Sequence, residues 1–432
     1  MARVLLLGSG GREHALAWKL AQSSDVDGII ALPGSDGIAA VDKTRCIDGN
    51  ATDPAVVRAL AEAEKSDLII IGPEAPMAAG VSDMLRNAGF AVAAPSRAAA
   101  QLESSKIFAK NFMARHHIPT APFTVCPDYE TARRALAAWP VEDKGIVLKA
   151  DGLAAGKGVV VTHDRAEAEK TLYDFMQNPA CTVKTGHILL EEKLDGREVS
   201  AFAICDGKTF LPIGYACDYK RVRDNNEGPN TGGMGGYAPQ GWPGAAMKDY
   251  INLHIFKPVV DGMTAEGTPF HGILFAGLMV QGDSVHVIEF NVRFGDPEAQ
   301  ILLPLMADDL YPLFKAAAEG TLTSLPAPKM KQGTAVHVVM TSEGYPETMG
   351  TGMRLGETVE MPEDLLARQS NDNSLLFIAG AGKRDGVWKN TGGRVLGVTA
   401  LGASLEDARR KAYDSLGKIR FNGAHWRTDI GT

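Results

Sequence analysis

The sequence predicts a multidomain protein of mixed α/β and α+β class: an N-terminal parallel α/β sheet domain, a central unit with a mobile lid, and a small C-terminal α/β domain. Three observations carry this. A chain of 432 residues exceeds one ordinary core, so roughly two to four domains are expected. Residues 1 to about 95 alternate apolar strands with helical stretches, the pattern of a parallel sheet covered by helices. Beyond Ala327-Pro328-Lys329, a further set of strands precedes one strong helix. The boundaries fall at 1–101, 102–326, with the lid over about 121–190, and 327–432.

Composition narrows the classes. Hydrophobic content of 45% with 22% charged residues describes a soluble globular chain. A net charge of -8 gives no broad electrostatic reason to bind nucleic acid, although a local basic cleft can hold phosphorylated small molecules. Five cysteines without a CxxC pair fit free thiols in a reducing compartment. No apolar run approaches the roughly 20 residues of a membrane helix, so a cytoplasmic protein without membrane or nucleic-acid partners is expected.

In order, strands are expected at Arg3 to Leu7, Gly28 to Leu32, Asp67 to Ile71 and Phe90 to Ala93, with helices through Ala21 and near Pro54 to Glu64. The first turn, Gly8-Ser9-Gly10-Gly11-Arg12-Glu13-His14, departs from a dinucleotide fingerprint in two ways. Glu13 stands where a small residue is needed, and the second strand ends in Leu32-Pro33-Gly34 without a ribose-binding acid. What survives is a glycine turn whose amides, with Arg12, can hold a phosphate; a purely structural tight turn is the alternative. Pro33-Gly34 and Gly72-Pro73-Glu74 open at the carboxyl edge of the sheet, where ligands of such folds sit.

Ser96 opens one helical region reaching His116, with Lys106 in it. Taken alone, Lys106 reads as a solvated helix lysine. A helix from Tyr129 to Trp139 precedes strands at Gly145 to Ala150 and Gly158 to Thr162. Between these, Gly152, Gly156 and Gly158 make a hairpin whose amides can close over phosphates while Lys149 and Lys157 neutralise charge; a structural hairpin is the alternative. Glu191 and Glu198 flank a Gly turn and suit a purine amino group and ribose hydroxyls, or else an exposed hairpin. Asp218 to Tyr237 reads as a long loop without strand or helix period, suited to wrapping an anionic ligand; a disordered segment is the alternative. A helix from about Ala246 to Ala265 is followed by a hairpin from Gly272 to Arg293 that turns at Gly282-Asp283, and then by two helices reaching Gly320.

The second strand of that hairpin carries the clearest chemistry. Alternation puts Ile288, Phe290 and Val292 on one face and Glu289, Asn291 and Arg293 on the other. Glu289 and Asn291 offer oxygens of the kind Mg²⁺ takes, and Mg²⁺ needs only one or two protein groups when nucleotide phosphates complete its shell. Arg293 can then hold an anion beside the metal. An edge strand with a solvated polar face is the bland alternative. The last hundred residues, with strands at Ala335 to Met340, Leu375 to Ala379 and Arg394 to Ala400 and a helix at Ser404 to Lys418, show no constellation for chemistry and read as a small supporting domain that closes one wall of the cleft.

The strings GSGGREHALAWK, GPEAP, KADGLAAGKGV, GPNTGGMGGY, IEFNVRFGDPE and GGRVLGVTALG, in this order, resemble the ATP-grasp superfamily and within it the phosphoribosylamine-glycine ligase family, over essentially the whole chain. The resemblance implies a central ATP-grasp fold and an ATP-dependent ligation of glycine to 5-phosphoribosylamine through glycyl phosphate, in purine biosynthesis. It implies that Lys106, Lys149, Gly152, Gly156, Lys157 and Gly158 meet nucleotide phosphates. Glu191, Glu192 and Leu194 would meet adenine, and Glu198 the ribose, with Asn230 on the nucleotide side. Glu289 and Asn291 would bind Mg²⁺ or Mn²⁺, with Arg293, Lys149 and Asp218 catalytic. Gly10, Gly11, Arg12, Pro33, Gly34, Asp218, Lys220, Arg293, Gly295 and Asp296 would line the substrate side. Many relatives carry a second metal-binding acid about a dozen residues before the Glu-x-Asn strand; here Leu274 to Met279 holds none. A monomer is expected, with a weak dimer as the alternative. Rival readings are an ATP-grasp ligase of another carboxylate, a nucleotide-binding regulator and a nicotinamide oxidoreductase, the last disfavoured by the missing ribose acid.

Overall fold

A computed structural model describes residues 1–154, 157–239, 241–347, 352–366 and 374–432. The expected N-terminal sheet forms, with one more strand than the sequence pattern suggested. Strands β1 (Ala2–Gly8), β2 (Val26–Pro33), β3 (Thr44–Cys46), β4 (Leu68–Ile71) and β5 (Val92–Ala93) pair in parallel in the order β3-β2-β1-β4-β5. Near-continuous apolar runs make the central strands β1 and β4, since both sheet faces are covered there. Asp53 caps the helix Pro54–Glu64 through the Ala55 amide at 2.9 Å, with Pro54 at its first turn.

The lid unit is an antiparallel sheet, β6 (Phe123–Cys126), β7 (Ile146–Ala150), β8 (Val159–Thr162) and β9 (Ile188–Glu191), in the order β6-β9-β7-β8 over its own apolar cluster. The helical region expected from Ser96 to His116 is two helices, Gln101–Ser104 and Lys106–Arg115. Ser105 breaks it by taking extended backbone and accepting the Phe108 amide at 3.1 Å, which makes Lys106 the first residue of the second helix.

Two expectations need correcting. The segment Asp218 to Tyr237 is not a structureless loop. After β10 (Arg197–Asp206) and β11 (Phe210–Asp218), it forms the hairpin β12 (Arg221–Arg223) and β13 (Glu227–Asn230), then β14 (Gly235–Tyr237). Strand β14 lies so close to its neighbours that a Cβ on Gly236 would fall 2.5 Å from the Cys217 carbonyl oxygen, so glycine replaces the usual strand signal here. The hairpin β15 (His271–Gln281) and β16 (Ser284–Asn291) matches expectation, except that β16 ends two residues before Arg293.

The C-terminal strands form where expected. β17 (Thr334–Thr341) pairs with β14 and with β21 (Arg394–Gly402), which pairs with β18 (Ser374–Ile378); β19 (Ala381–Arg384) and β20 (Val387–Asn390) form a side hairpin. One eight-stranded sheet, β16-β15-β10-β11-β14-β17-β21-β18, therefore runs from the metal-candidate strand into the C-terminal region. Apolar clusters also cross the expected divisions: Leu5 and Ile69 of the first sheet share a core with Leu274 and Phe290. The five cysteines are free thiols, and among the described residues no helix is long and apolar enough to cross a membrane.

Candidate active site

Lys149 sits near the end of β7 and is 3% exposed. Its Nζ donates to the Ile288 carbonyl at 3.0 Å, bringing the lid strand against β16. The same Nζ lies 3.0 Å from Glu191 Oε1, without an aligned hydrogen bond, while Lys110 Nζ lies 2.9 Å from Glu191 Oε2. Two ammonium groups thus share one carboxylate in a water-poor site. Burial pushes the Lys110 ammonium down to about 8 against the pull of Glu191. Glu191 is therefore not on an exposed hairpin, and its carboxylate is already committed to two lysines.

Lys106 Nζ donates to the Gly152 carbonyl at 2.7 Å. Asp151 accepts from Ser105 Oγ at 3.1 Å and from the Ile107 amide at 3.2 Å, so the glycine hairpin is tied to the start of the Lys106 helix. Gly152 has φ +101 and open space around it, conditions that favour glycine. Lys157 is exposed and Gly158 buried; Gly156 lies outside the described residues.

The carboxylate of Glu289 faces Lys220, Lys149, Lys106 and Arg293. Burial alone would raise its pKa, but these four cations hold it below the usual glutamate value. Among the described residues it has no hydrogen-bond or ion-pair partner. Asn291 Oδ1 accepts from an Arg293 guanidinium nitrogen at 3.0 Å. That guanidinium also meets Glu103 at 2.7 Å and Glu74 at 3.4 Å. Burial disfavours the Arg293 charge, yet Glu103 and Glu74 more than compensate and its pKa rises. Glu74, the first residue of the short helix Glu74–Ala78 that follows β4, thus links the first sheet to the residue just beyond the metal-candidate strand.

A second cluster surrounds Asp296. Arg12 Nε pairs with Glu13 at 2.6 Å and Arg12 also donates to the Phe294 carbonyl at 3.2 Å. Glu13 accepts the Gly10 amide at 2.7 Å, so the acid that departs from the dinucleotide pattern caps its own helix. Gly11 lies against Gln300, whose Nε2 donates to Asp296 Oδ1 at 2.8 Å. Arg394 of β21 donates to the carbonyls of Asp296 at 2.6 Å and Gly232 at 2.7 Å, and lies 3.3 Å from Asp296 Oδ1. The C-terminal region therefore reaches the site, as a domain closing one wall of the cleft would, although no residue of it was singled out for chemistry. Between the two clusters, Lys220 Nζ sits 2.8 Å from Asp218 Oδ2 and 3.3 Å from Glu198. Asp218 Oδ1 is buried and, among the described residues, has no hydrogen-bond partner. Glu298, seated against Gly295, accepts from Ser200 Oγ at 3.0 Å; burial first, then Asp218, push its carboxyl up to about 7.

The contacts thus gather Lys106, Lys149, Gly152, Glu191, Glu289, Asn291 and Arg293 on one side and Gly10, Gly11, Arg12, Gly295 and Asp296 on the other, with Asp218, Lys220 and Glu198 between. Pro33-Gly34 stands at the carboxyl edge of the first sheet, bound to Gly8 through the Gly34 amide at 3.2 Å. Glu192 is held by its amide on the Pro122 carbonyl at 3.0 Å; Leu194 is half-buried, and Asn230 ends β13 opposite Arg221. Sequence reasoning missed Lys110, Glu103, Glu298, Gln300 and Arg394 as members of these clusters, and none of them carried a signal; Glu74 was marked by its place just after a parallel strand.

A four-stranded antiparallel lid, paired lysines beneath a glycine hairpin and an acid-amide strand facing them define the class: this is an ATP-grasp enzyme, a ligase fold. Residues 2–103, 104–299 and 335–432 match the N domain, the ATP-grasp (A) domain and the C domain described for phosphoribosylglycinamide synthetase. The phosphoribosylamine-glycine ligase of Leifsonia xyli is 44% identical over 99% of this chain and 99% of its own. The crystal structure of the Thermotoga maritima phosphoribosylamine-glycine ligase superposes with a TM-score of 0.83 at 31% identity, covering 99% of this chain and 100% of that one. The biotin carboxylase domain of the Hydrogenobacter thermophilus 2-oxoglutarate carboxylase, solved with MgADP and bicarbonate, shares the fold at a TM-score of 0.72 and 15% identity over 98% of this chain and 91% of that chain. The chain belongs to the phosphoribosylglycinamide synthetase family.

Proposed function

We propose that the protein joins glycine to 5-phosphoribosylamine at the expense of ATP, giving glycinamide ribonucleotide, ADP and phosphate, a step of purine biosynthesis. The observation that carries the site assignment is the Glu289 carboxylate, faced by four cationic side chains and, among the described residues, without a hydrogen-bond or ion-pair partner. One free carboxylate and one amide oxygen suit Mg²⁺ or Mn²⁺, which take oxygen ligands. Among the described residues no cluster of three or more His, Cys, Asp or Glu could hold an ion alone, so phosphate oxygens would complete the shell. When bound, the ion offsets charge on the transferred phosphoryl group. Glu289 and Asn291 would hold it.

In this reading Lys106 and Lys149 neutralise the ATP phosphates, while Asp151 to Ala154, with Lys157 and Gly158, cover them and exclude water. Glu191, Glu192, Leu194, Glu198 and Asn230 border the nucleotide. The γ-phosphoryl passes to a glycine carboxylate oxygen with ADP as leaving group, and Arg293 stabilises the charge on the acyl phosphate. The amine of phosphoribosylamine then attacks the carbonyl carbon, the C–N bond forms, and phosphate leaves. Asp218, Lys220, Gly295 and Asp296 hold this side, with Gly10, Gly11, Arg12, Pro33 and Gly34 toward the phosphoribosyl group. Juxtaposing amine and acyl phosphate removes the entropy of a bimolecular encounter. The division into 1–101, 102–326 and 327–432, a cytoplasmic setting and a monomeric state belong to the same proposal. The test is ADP release with each substrate omitted in turn. Release that needs glycine and phosphoribosylamine together supports it; release supported by another carboxylate, bicarbonate included, overturns it.

A further inference from the structure

Residues 425–432 carry no motif, yet they run along the segment that presents Asp218 and Lys220. Arg427 is 0% exposed. Its guanidinium donates to the Arg221 carbonyl at 3.1 Å and to Asn226 Oδ1 at 3.0 Å, and meets both Asp429 oxygens at 2.7 and 2.6 Å. It also lies 4.7 Å over the ring of Tyr219. A fully buried guanidinium persists only where its charge and donors are met, and here the chain's last residues and one short stretch of backbone meet them together.

Three further contacts follow the same line. His425 Nε2 lies 2.8 Å from the Val222 carbonyl, the Asn225 amide donates to Asp429 Oδ2 at 2.9 Å, and the Gly431 amide donates to the Tyr219 hydroxyl at 3.2 Å. These attachments fall on Tyr219 and on residues 221–226, which brackets Lys220 from both sides. Lys220 is pinned in turn by its carbonyl, which accepts the Thr231 amide at 2.7 Å. Among the described residues no hydrogen bond or ion pair joins 425–432 to Lys106, Lys149 or the hairpin at 151–158.

From this we infer that Arg427, locked by Asp429, is a positioning residue for the substrate side of the cleft: it fixes the backbone on either side of Lys220, so that its ammonium stands between Asp218 and Glu198 facing Glu289. The inference rests on the assignment of Asp218 and Lys220 to glycine and phosphoribosylamine. It sets residues 425–432 to govern those two substrates more than ATP, whose border they reach only indirectly, through Asn230 opposite Arg221 and Glu198 beside Lys220.

The test uses full-length enzyme with Arg427→Met, Arg427→Lys and Asp429→Asn, measuring ADP formation while ATP, glycine and phosphoribosylamine are varied separately and a thermal melt checks folding. Arg427→Met should raise KM for glycine or phosphoribosylamine about tenfold, the loss of roughly one charge-assisted hydrogen bond, with KM for ATP within about twofold. Arg427→Lys should recover part of that loss, since an ammonium can still meet Asp429 but not the Arg221 and Asn226 oxygens with it. Should Arg427→Met not fold, Asp429→Asn carries the same prediction at smaller size. The inference is overturned if the three KM values rise together, if none changes in a folded variant, or if kcat alone falls. Wild-type enzyme showing no ADP formation dependent on both glycine and phosphoribosylamine would instead overturn the functional reading beneath it.

Discussion

Glu191 and Lys110 meet at 2.9 Å with both residues almost wholly buried, 2% and 1% exposed. The other oxygen of Glu191 belongs to Lys149, so Lys110 governs how far Glu191 draws on the lysine assigned to phosphate. Removing one member of a buried ion pair leaves the other uncompensated, at a cost of roughly 3 kcal/mol. Lys110→Met should lower stability by that order in urea unfolding. It should also raise KM for ATP, because Glu191 then holds Lys149 alone. An unchanged KM for ATP would separate Lys110 from nucleotide binding.

Glu289→Ala removes the carboxylate that four cations face. Turnover should fall about a hundredfold or more, the scale of losing a charge-stabilising group at a reacting centre. Folding should persist, since Glu289 makes no ion pair or hydrogen bond with described residues. ADP release across a Mg²⁺ titration checks this. Near-normal turnover at saturating Mg²⁺ would move the metal elsewhere.

The raised carboxyl of Glu298 gives a pH signature with a definite sign. Its ordinary value is 4.5, and burial with Asp218 nearby lifts it to about 7 against Lys220 and Ser200. Between these values the folded state keeps a proton that the unfolded state releases, so stability falls as pH rises from about 4.5 to about 7. Glu298→Gln should flatten that slope. Urea midpoints of wild type and variant across this window decide it; parallel profiles would show that Glu298 is not the group.

Gly236→Ala probes the glycine-only strand. The added methyl would fall 2.5 Å from the Cys217 carbonyl oxygen and 3.0 Å from Ile301 Cδ1. Overpacking of this kind costs about 1–3 kcal/mol and should shift Asp218, which pairs with Gly236 across the sheet. A lower melting temperature with lost activity is expected. Gly282→Ala, where nothing lies within 4 Å, serves as the control for a glycine that strains only its own φ of +60°.

Much of the fold could be read from local rules. Asp53-Pro54 marks a helix start, and Gly282-Asp283 between two alternating runs marks a hairpin; both formed where expected. β3 is three residues long and β14 is Gly-Gly-Tyr, so neither offers a period to detect. Within the site, spacing put Glu289, Asn291 and Arg293 together because they are neighbours on one strand. It could not pair Arg293 with Glu103 or Lys149 with Glu191 across the fold, nor bring Arg394 to Asp296. Those pairings depend on how sheets stack, and a lysine such as Lys110 looks the same in sequence whether it is solvated or buried.

The sheet that crosses from β14 to β17 also limits how the gene can be divided. Two polypeptides made by a cut near residue 330 would each present a raw strand edge, and activity would return only if the halves recognised one another by strand complementation. The catalytic half could not be borrowed alone as a module.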